Sequence, residues 1–320
     1  MLLDHLTTHT SHTRGEAGLD LLTASNGIKS QLQLFLISGK IEGLAPATLK
    51  YYDYTLNAFL AFCHLQKVVE VGSITRSHIR LFLWQLQEHN NPVSVLAYFK
   101  AVRRFTNWLL EEGAIKESPM TLVKPPPQPK LLVPVFTTEQ IMGMLDWCDS
   151  QRFCGARNRA IVLMFLDTGI RLSEMAVLTL VDFDFYKETV RINGKGAKQR
   201  VVRIGTKTQK ALLKYLLTRD DKLPSVWLGE ERRPLKRAGI QTMVKKLCYR
   251  AGVTGVKIGP HTFRHTCALN CLRNGMGEFQ LQMMLGHSTL AMTRRYVSML
   301  NQEDVFKAHK KASPVDNMRF

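Results

Sequence analysis

Apolar residues recur at helical spacing through most of the chain. Ile28, Leu32, Phe35 and Leu36 share one face, and "APATLKYYDYTLNAFLAF" repeats the pattern at Leu49, Tyr52, Leu56, Phe59, Leu60 and Cys63. That second helix is expected to expose Thr48, Lys50, Tyr51 and Thr55. A third helix is predicted through "TRSHIRLFLWQLQEH". A fourth, through "VSVLAYFKAVRRFTNWLLEEG", turns Leu96, Phe99, Val102, Phe105 and Leu109 inward and crowds Lys100, Arg103 and Arg104 elsewhere. Four such helices make one compact unit over residues 28–118.

The prolines of "SPMTLVKPPPQPKLLVP" cannot continue a helix and favour an extended connection, so residues 119–135 are expected to be a linker. The pattern resumes with Thr137 or Thr138 as the cap of a helix through "TEQIMGMLDWC". Further helices are predicted at "RNRAIVLMFLDTG", "RLSEMAVL", "TKTQKALLKYLLTR", "RAGIQTMVKKLCYRAG", "PHTFRHTCALNCLRNG", "EFQLQMMLG" and "LAMTRRYVSM". Only "TVRI" and "QRVVRI" read as strand, a hairpin joined by the glycine-rich "NGKGAK". Residues 136–300 are thus a second unit, and the whole chain is mainly α with a small β-sheet. Residues 1–27, rich in Thr, Ser, His and Gly, read as a flexible extension. Residues 301–320 form a tail, helical at "EDVFKAHKK" and disordered after Pro314.

Charge narrows the function. Of 320 residues, 44 are Lys or Arg and 26 Asp or Glu, a formal +18 that points to a polyanionic partner, with nucleic acid foremost. The basic residues are spread along the chain, not gathered on one amphipathic helix as a membrane-surface protein would have them. No apolar run approaches the roughly 20 residues that span a bilayer, and polar residues from Asp4 to Arg14 stand where a secretory signal would be apolar, so a cytoplasmic protein is expected. Six cysteines without a CxxC pair read as reduced core thiols. His261, His265, Cys267 and Cys271 lie about one helical turn apart, but the core reading outweighs a metal site, and no metal is expected.

Several polar positions have two readings. Arg171 opens a helix after a glycine turn and is either a bidentate phosphate ligand or a surface partner of Glu174. Pro260 suits a helix start, which puts His261 and Arg264 on one face with His265 within reach. Lys195 at the hairpin tip is a solvated turn lysine or a groove contact. Tyr296, nine residues after His287, would serve equally as a core tyrosine beside Met292 and Met299.

Taken in order, "TGIRLSE", "INGKGAKQRVV", "GPHTFRHT", "LGHS" and the tyrosine nine residues on resemble the tyrosine recombinases. "TLKYYDYTLNAFLAF" and "AVRRFTNWLLEEG" are similar to the core-binding domain of Xer-type recombinases and mobile-element integrases, and the resemblance covers roughly residues 28 to 300. It implies an N-terminal four-helix, SAM-like core-binding domain and a C-terminal catalytic domain, closing on DNA as a C-shaped clamp. It also implies site-specific recombination through a 3′-phosphotyrosine and a Holliday junction, for integration, excision or resolution, without cofactor or metal. Tyr296 would be the nucleophile. Arg171 and Arg264 would clamp the non-bridging oxygens, Lys195 protonate the leaving 5′-oxygen, His261 assist proton transfer at the nucleophile, and His287 donate to the phosphate. Glu174 and His265 would support these groups from behind.

Thr48, Lys50, Tyr51, Lys100, Arg103, Arg104, Lys198 and Arg200 are the candidates for contact with the DNA backbone. The implied partner is a double-stranded recombination site, held by a dimer and synapsed as a tetramer, with room for a second recombinase. The tail is a candidate protomer-docking segment, and the protein is expected at the nucleoid. Two rivals remain at this point: a catalytically silent DNA-binding protein on the same fold, and relaxation of supercoils in the manner of a type IB topoisomerase. If Lys195 is the general acid, Lys195→Ala should cleave ordinary DNA poorly yet recover when sulfur replaces the 5′-bridging oxygen, since a thiolate leaves unaided. An equal defect on both substrates would remove that role.

Overall fold

A computed structural model describes residues 26–127, 133–194 and 199–318. The chain divides into two compact units, Met1–Leu131 and Leu132–Phe320. In the first, helices α1 (Ile28–Ile41), α2 (Pro46–Leu65), α3 (Arg76–His89) and α4 (Pro92–Glu111) surround one core. Proline occupies the first turn of α2 and α4, where its missing N–H costs nothing. Thr75 and Asn91 cap α3 and α4 by accepting the backbone N–H of His78 and Ser94. Phe35 lies at the middle of the core, edge-on to Tyr52, Phe105 and Trp108 at ring separations of 5.3 to 5.6 Å.

Three expectations change here. Thr55 is only 3% exposed and returns its hydroxyl to the carbonyl of Tyr51. Tyr51 is half-buried and donates its own hydroxyl to Ala97 at 2.5 Å, which bridges α2 to α4 in place of facing solvent. Met120 is buried in this same core, so the first unit runs past residue 118 into the expected linker.

The second unit is built around α6 (Phe153–Thr168), whose Ala160, Ile161, Val162, Met164 and Phe165 are all buried. A helix buried on all sides shows no amphipathic stripe. Before it comes α5 (Thr138–Asp146), capped by Thr137. After it come α7 (Leu172–Met175), α8 (Thr206–Leu216), α9 (Arg237–Arg250), α10 (Pro260–Arg273), α11 (Glu278–Leu285), α12 (Ala291–Val297) and α13 (Gln302–Ala312). The helix expected over "RLSEMAVL" stops at Met175, and Leu178 instead accepts the backbone N–H of Val226 at 3.0 Å.

The expected hairpin forms from β2 (Thr189–Asn193) and β3 (Gln199–Arg203), with Ile192 opposite Arg200. A third strand, β1 (Phe183–Asp184), pairs antiparallel with β2. Two residues are too few to show alternation, so the sequence pattern missed it. Val190, Ile192 and Val202 turn the buried face of the sheet to the core.

Beyond Leu300 the chain forms α13, capped by Asn301, with no buried residue and with Val305 and Phe306 exposed. The disorder expected after Pro314 is not found over the described residues; Asn317 ties a turn back to the carbonyls of Lys311 and Ser313. No described helix is long and apolar enough to cross a membrane. The expected extension at residues 1–25, the linker core at 128–132, Lys195 and Lys198 lie outside the described residues.

Truncating Phe35 to Ala should cost the first unit about 3 to 5 kcal/mol, the usual range for a buried phenylalanine. Urea unfolding followed by Trp108 fluorescence should then show an earlier transition for that unit.

Candidate active site

The C-terminal end of α11 organises the site. Helix ends leave carbonyls without intrahelical partners, and here three consecutive ones each accept a different arginine. Met284 O takes Arg200 Nε at 2.9 Å, Leu285 O takes an Arg264 terminal nitrogen at 2.7 Å, and Gly286 O takes an Arg171 terminal nitrogen at 2.9 Å. Gly286 terminates the helix at φ 64°, a left-handed conformation suited to glycine, and a Cβ there would stand 3.2 Å from Arg200 Cδ. Arg264 also donates at 2.6 Å to Gly169, the left-handed terminus of α6. A Cβ on Gly169 would meet Leu285 Cδ2 at 2.5 Å, so close packing of the two helix ends needs glycine twice over.

One carboxylate balances this cluster. Glu174, 5% exposed, receives Arg171 at 2.8 Å and Arg200 at 3.0 and 2.8 Å, and also accepts the Arg171 backbone N–H at 2.9 Å. Burial would raise its pKa, but the two arginines outweigh burial and hold it below the ordinary carboxylate range. Arg264 is the converse: burial first, then repulsion from Arg171 and Arg200, brings its pKa down to about 10. Three guanidinium groups against one carboxylate leave an excess of positive charge, a site prepared for an anion.

Arg200 therefore differs from expectation. Its side chain is largely buried and commits three of its five N–H groups to Glu174 and Met284, so it braces the site from within the protein. Glu174 thus joins Arg171 to Arg200 of strand β3.

Around this charge stand the tyrosine and histidines. Tyr296 on α12 is 2% exposed, in a small apolar cluster with Ala268, Leu272, Leu281 and Leu285. Burial raises its pKa, against the opposing pull of Arg295 and Arg264. Its hydroxyl lies 2.7 Å from His265 Nδ1, and its ring stacks on His287 at 6.4 Å. The Nδ1 of His287 meets the Thr293 hydroxyl at 2.8 Å, which holds the ring and leaves Nε2 without that partner. Burial and neighbouring arginines push both His265 and His287 down to about 4, so both are neutral at pH 7. His261 is exposed, and desolvation and Arg264 lower its pKa as well. Among the described residues it makes no hydrogen bond to Tyr296.

The structure thus brings together Arg171, Glu174, Arg264, His265, His287 and Tyr296, with His261 at the margin. Two groups went unnoticed in the sequence: Arg237 and Lys257, both exposed, whose charges act on His261. A Lys-Arg pair opening α9 was the only signal. Among the first-unit candidates, Lys50, Lys100 and Arg103 are exposed, and Arg103 sits 5.5 Å over the Phe99 ring. Thr48 is half-buried, and Arg104 is shared between Glu42 and Glu111. Among the described residues no group of His, Cys, Asp and Glu could hold a metal ion.

A two-unit chain with this cluster on its second unit has the organisation of a recombinase. Residues 134–303 match the model of the phage integrase family and residues 32–115 that of the phage integrase N-terminal SAM-like domain; the chain belongs to this family, the tyrosine recombinases. Among its relatives are tyrosine recombinase XerC of Oceanobacillus iheyensis, 30% identical over 301 residues, covering 90% of this chain and 98% of that one. Tyrosine recombinase XerD of Halalkalibacterium halodurans is 31% identical over 290 residues, covering 87% and 97%. The fold is that of XerH recombinase in its post-cleavage complex with palindromic difH (TM-score 0.70, 19% identity, 97% and 91% covered). It is also that of the lambda integrase dimer on a COC′ core site (TM-score 0.69, 14% identity, 91% and 81% covered).

Removing Arg200 leaves Glu174 half-paired in the interior. Arg200→Ala should cost about 3 kcal/mol, the low end for breaking a buried ion pair, because Arg171 still faces the carboxylate. The histidines give a pH signature of their own. A base whose folded pKa is depressed binds fewer protons folded than unfolded, so stability should fall as pH drops from about 6.5 towards about 4. Thermal denaturation at pH 7 and pH 5 should show this loss, and His287→Asn should reduce the difference between the two.

Proposed function

We propose that this protein cuts and rejoins DNA at a specific site by attack of Tyr296 on a phosphodiester. The observation that carries the reading is the convergence, on one helix end, of two arginines with free donor capacity beside a buried tyrosine. Arg171 and Arg264 grip the non-bridging oxygens, and their planar forks are already aimed by the α11 carbonyls. His287 donates a hydrogen bond to the same phosphate, and exposed His261 assists proton transfer at the nucleophile. Lys195 supplies the proton to the departing 5′-oxygen. The 3′-phosphotyrosine conserves the energy of the broken bond, so rejoining needs no nucleotide cofactor.

In this reading the first unit binds the core of the site and the second carries the chemistry. Lys50, Lys100, Arg103, Arg237 and Lys257 are the phosphate contacts, each adding affinity that salt weakens. Arg104 and Tyr51, engaged within the protein, contribute less. The partners are a double-stranded site and further copies of the chain, a dimer per site and a tetramer in synapsis, with a second recombinase as an added partner. The cytoplasm, at the nucleoid, is where such a substrate is found. Helix α13 has its apolar Val305 and Phe306 in solvent, which suits a segment that docks on a neighbouring copy.

The test is a nicked suicide duplex carrying the candidate site. Wild-type protein should form a denaturation-resistant adduct, and Tyr296→Phe should bind equally well and form none. Tight binding by both without an adduct would favour a silent DNA-binding protein. Truncation after Met299 should leave single-site binding intact and weaken synapsis, read by two-site gel mobility; unchanged synapsis would remove the docking role of α13.

A further inference from the structure

We propose that Cys267 and Cys271 form a reversible oxidation site, which hydrogen peroxide closes to a disulfide and a dithiol reopens, and that the closed form no longer cuts DNA. This regulation rests on the strand-cutting reading above, since it acts on that same site. Both cysteines lie on α10, one helical turn apart, and the strand-cutting chemistry uses neither. Cys267 is buried and Cys271 half-buried, so an oxidant meets the second from solvent and the first lies behind it. Cys267 follows Arg264 by three residues and shares its side of the helix.

The two thiols differ as such a pair requires. A hydrogen bond between them raises the pKa of Cys267 and lowers that of Cys271, so the more accessible sulfur has the greater thiolate character. The buried sulfur, in turn, touches the parts of the fold that set the arginines. Cys267 Sγ lies 3.6 Å from the Asp167 carbonyl, and a Cβ on Gly169 would stand 3.2 Å from it. Gly169 gives its carbonyl to Arg264 at 2.6 Å, and the Asp167 side chain accepts the Gly205 backbone N–H at 2.6 Å. A shift of Cys267 is therefore felt at once by the residue that holds Arg264.

Residues four apart on a helix hold their Cβ atoms about 5–6 Å apart, whereas a disulfide needs about 3.5–4.5 Å. Closing the bridge draws α10 in by about 1 Å just after Arg264 and pulls the Cys267 sulfur from its place beside Gly169. Catalytic groups work only within about 0.5 Å of their productive positions, so the Arg264 fork loses its aim. One molecule of hydrogen peroxide balances the chemistry. The Cys271 thiolate attacks a peroxide oxygen, the O–O bond breaks, and the departing hydroxide takes up the proton the thiol had released, leaving a sulfenic acid. The Cys267 sulfur then attacks Cys271, the S–OH bond breaks, and water leaves with the Cys267 proton. Two thiols are oxidised to one disulfide and the peroxide is reduced to two waters. A dithiol reverses the closure by exchange, itself becoming the disulfide.

The experiment takes wild type, Cys271→Ser and Cys271→Ala through reduction, treatment with hydrogen peroxide and return to dithiothreitol. Trypsin cuts after Arg264 and Arg273, so both sulfurs fall on one peptide, and the bridge is read there as the loss of two hydrogens. The single-turnover rate of adduct formation on the nicked suicide duplex reads the consequence. Oxidised wild type should show the bridged peptide, cut about 100-fold more slowly, as expected for a catalytic group moved by about 1 Å, and regain its rate in dithiothreitol. Both variants should keep their rate throughout. A wild-type peptide that stays reduced, or bridges without slowing the reaction, overturns the proposal. An equal loss in the variants, or a wild-type loss that dithiothreitol does not reverse, overturns it too. If the serine variant is inactive before treatment the alanine variant is read in its place, and if both are, the wild-type peptide mass and rate decide. Failure of the strand-cutting reading looks different: reduced wild type forms no adduct, and the peptide mass alone then decides whether the pair is an oxidation site.

Discussion

Three successive carbonyls at the end of α11 hold three arginines drawn from a helix start, a strand and a helix interior, and the active centre depends on that convergence. A guanidinium group placed near two others is repelled, so it stays only where fixed negative ends of dipoles and one carboxylate compensate. The C-terminus of a helix supplies such ends without adding a titratable group. Gly286 makes them available by turning the chain away in a left-handed conformation, and Gly169 brings a fourth carbonyl to Arg264. The result is a set of forks aimed before any substrate arrives, which is the condition for electrostatic stabilisation without reorganisation.

The same surplus of charge explains the other groups. Tyr296 is buried against the core with its proton retained, and His265 and His287 are kept neutral by burial and by the arginines. Resting chemistry is thereby suppressed. An entering phosphodiester would offset part of the local positive charge, lower the cost of charging an imidazole and engage the arginines' unused N–H groups.

Much of this was legible in the sequence because it rests on local rules. Apolar spacing located the helices of both units, Pro46, Pro92 and Pro260 marked helix starts, and β-branched runs marked the hairpin. The order of polar motifs pointed to the site residues that do assemble. What escaped depends on tertiary contact. Arg200 looked like any basic residue of a basic hairpin, and only the fold reveals that it commits three of its donors to Glu174 and Met284. Tyr51 and Thr55 lie on the polar side of a helical wheel, yet α4 covers one and the backbone absorbs the hydroxyl of the other. His261 and His265 share a helical face, so spacing could not decide which would reach Tyr296; the approach of α12 decides it.

The central claim is that Arg171, Arg264 and Tyr296 converge on one phosphorus atom. A crystal structure of the protein with a nicked site and vanadate would test it most directly. The account predicts a trigonal-bipyramidal vanadate with the Tyr296 oxygen at one apex, the DNA 5′-oxygen at the other, and both arginines on the equatorial oxygens. Vanadate bound at the nick with Tyr296 still buried against His265, or with Arg171 and Arg264 turned away from it, would contradict the claim.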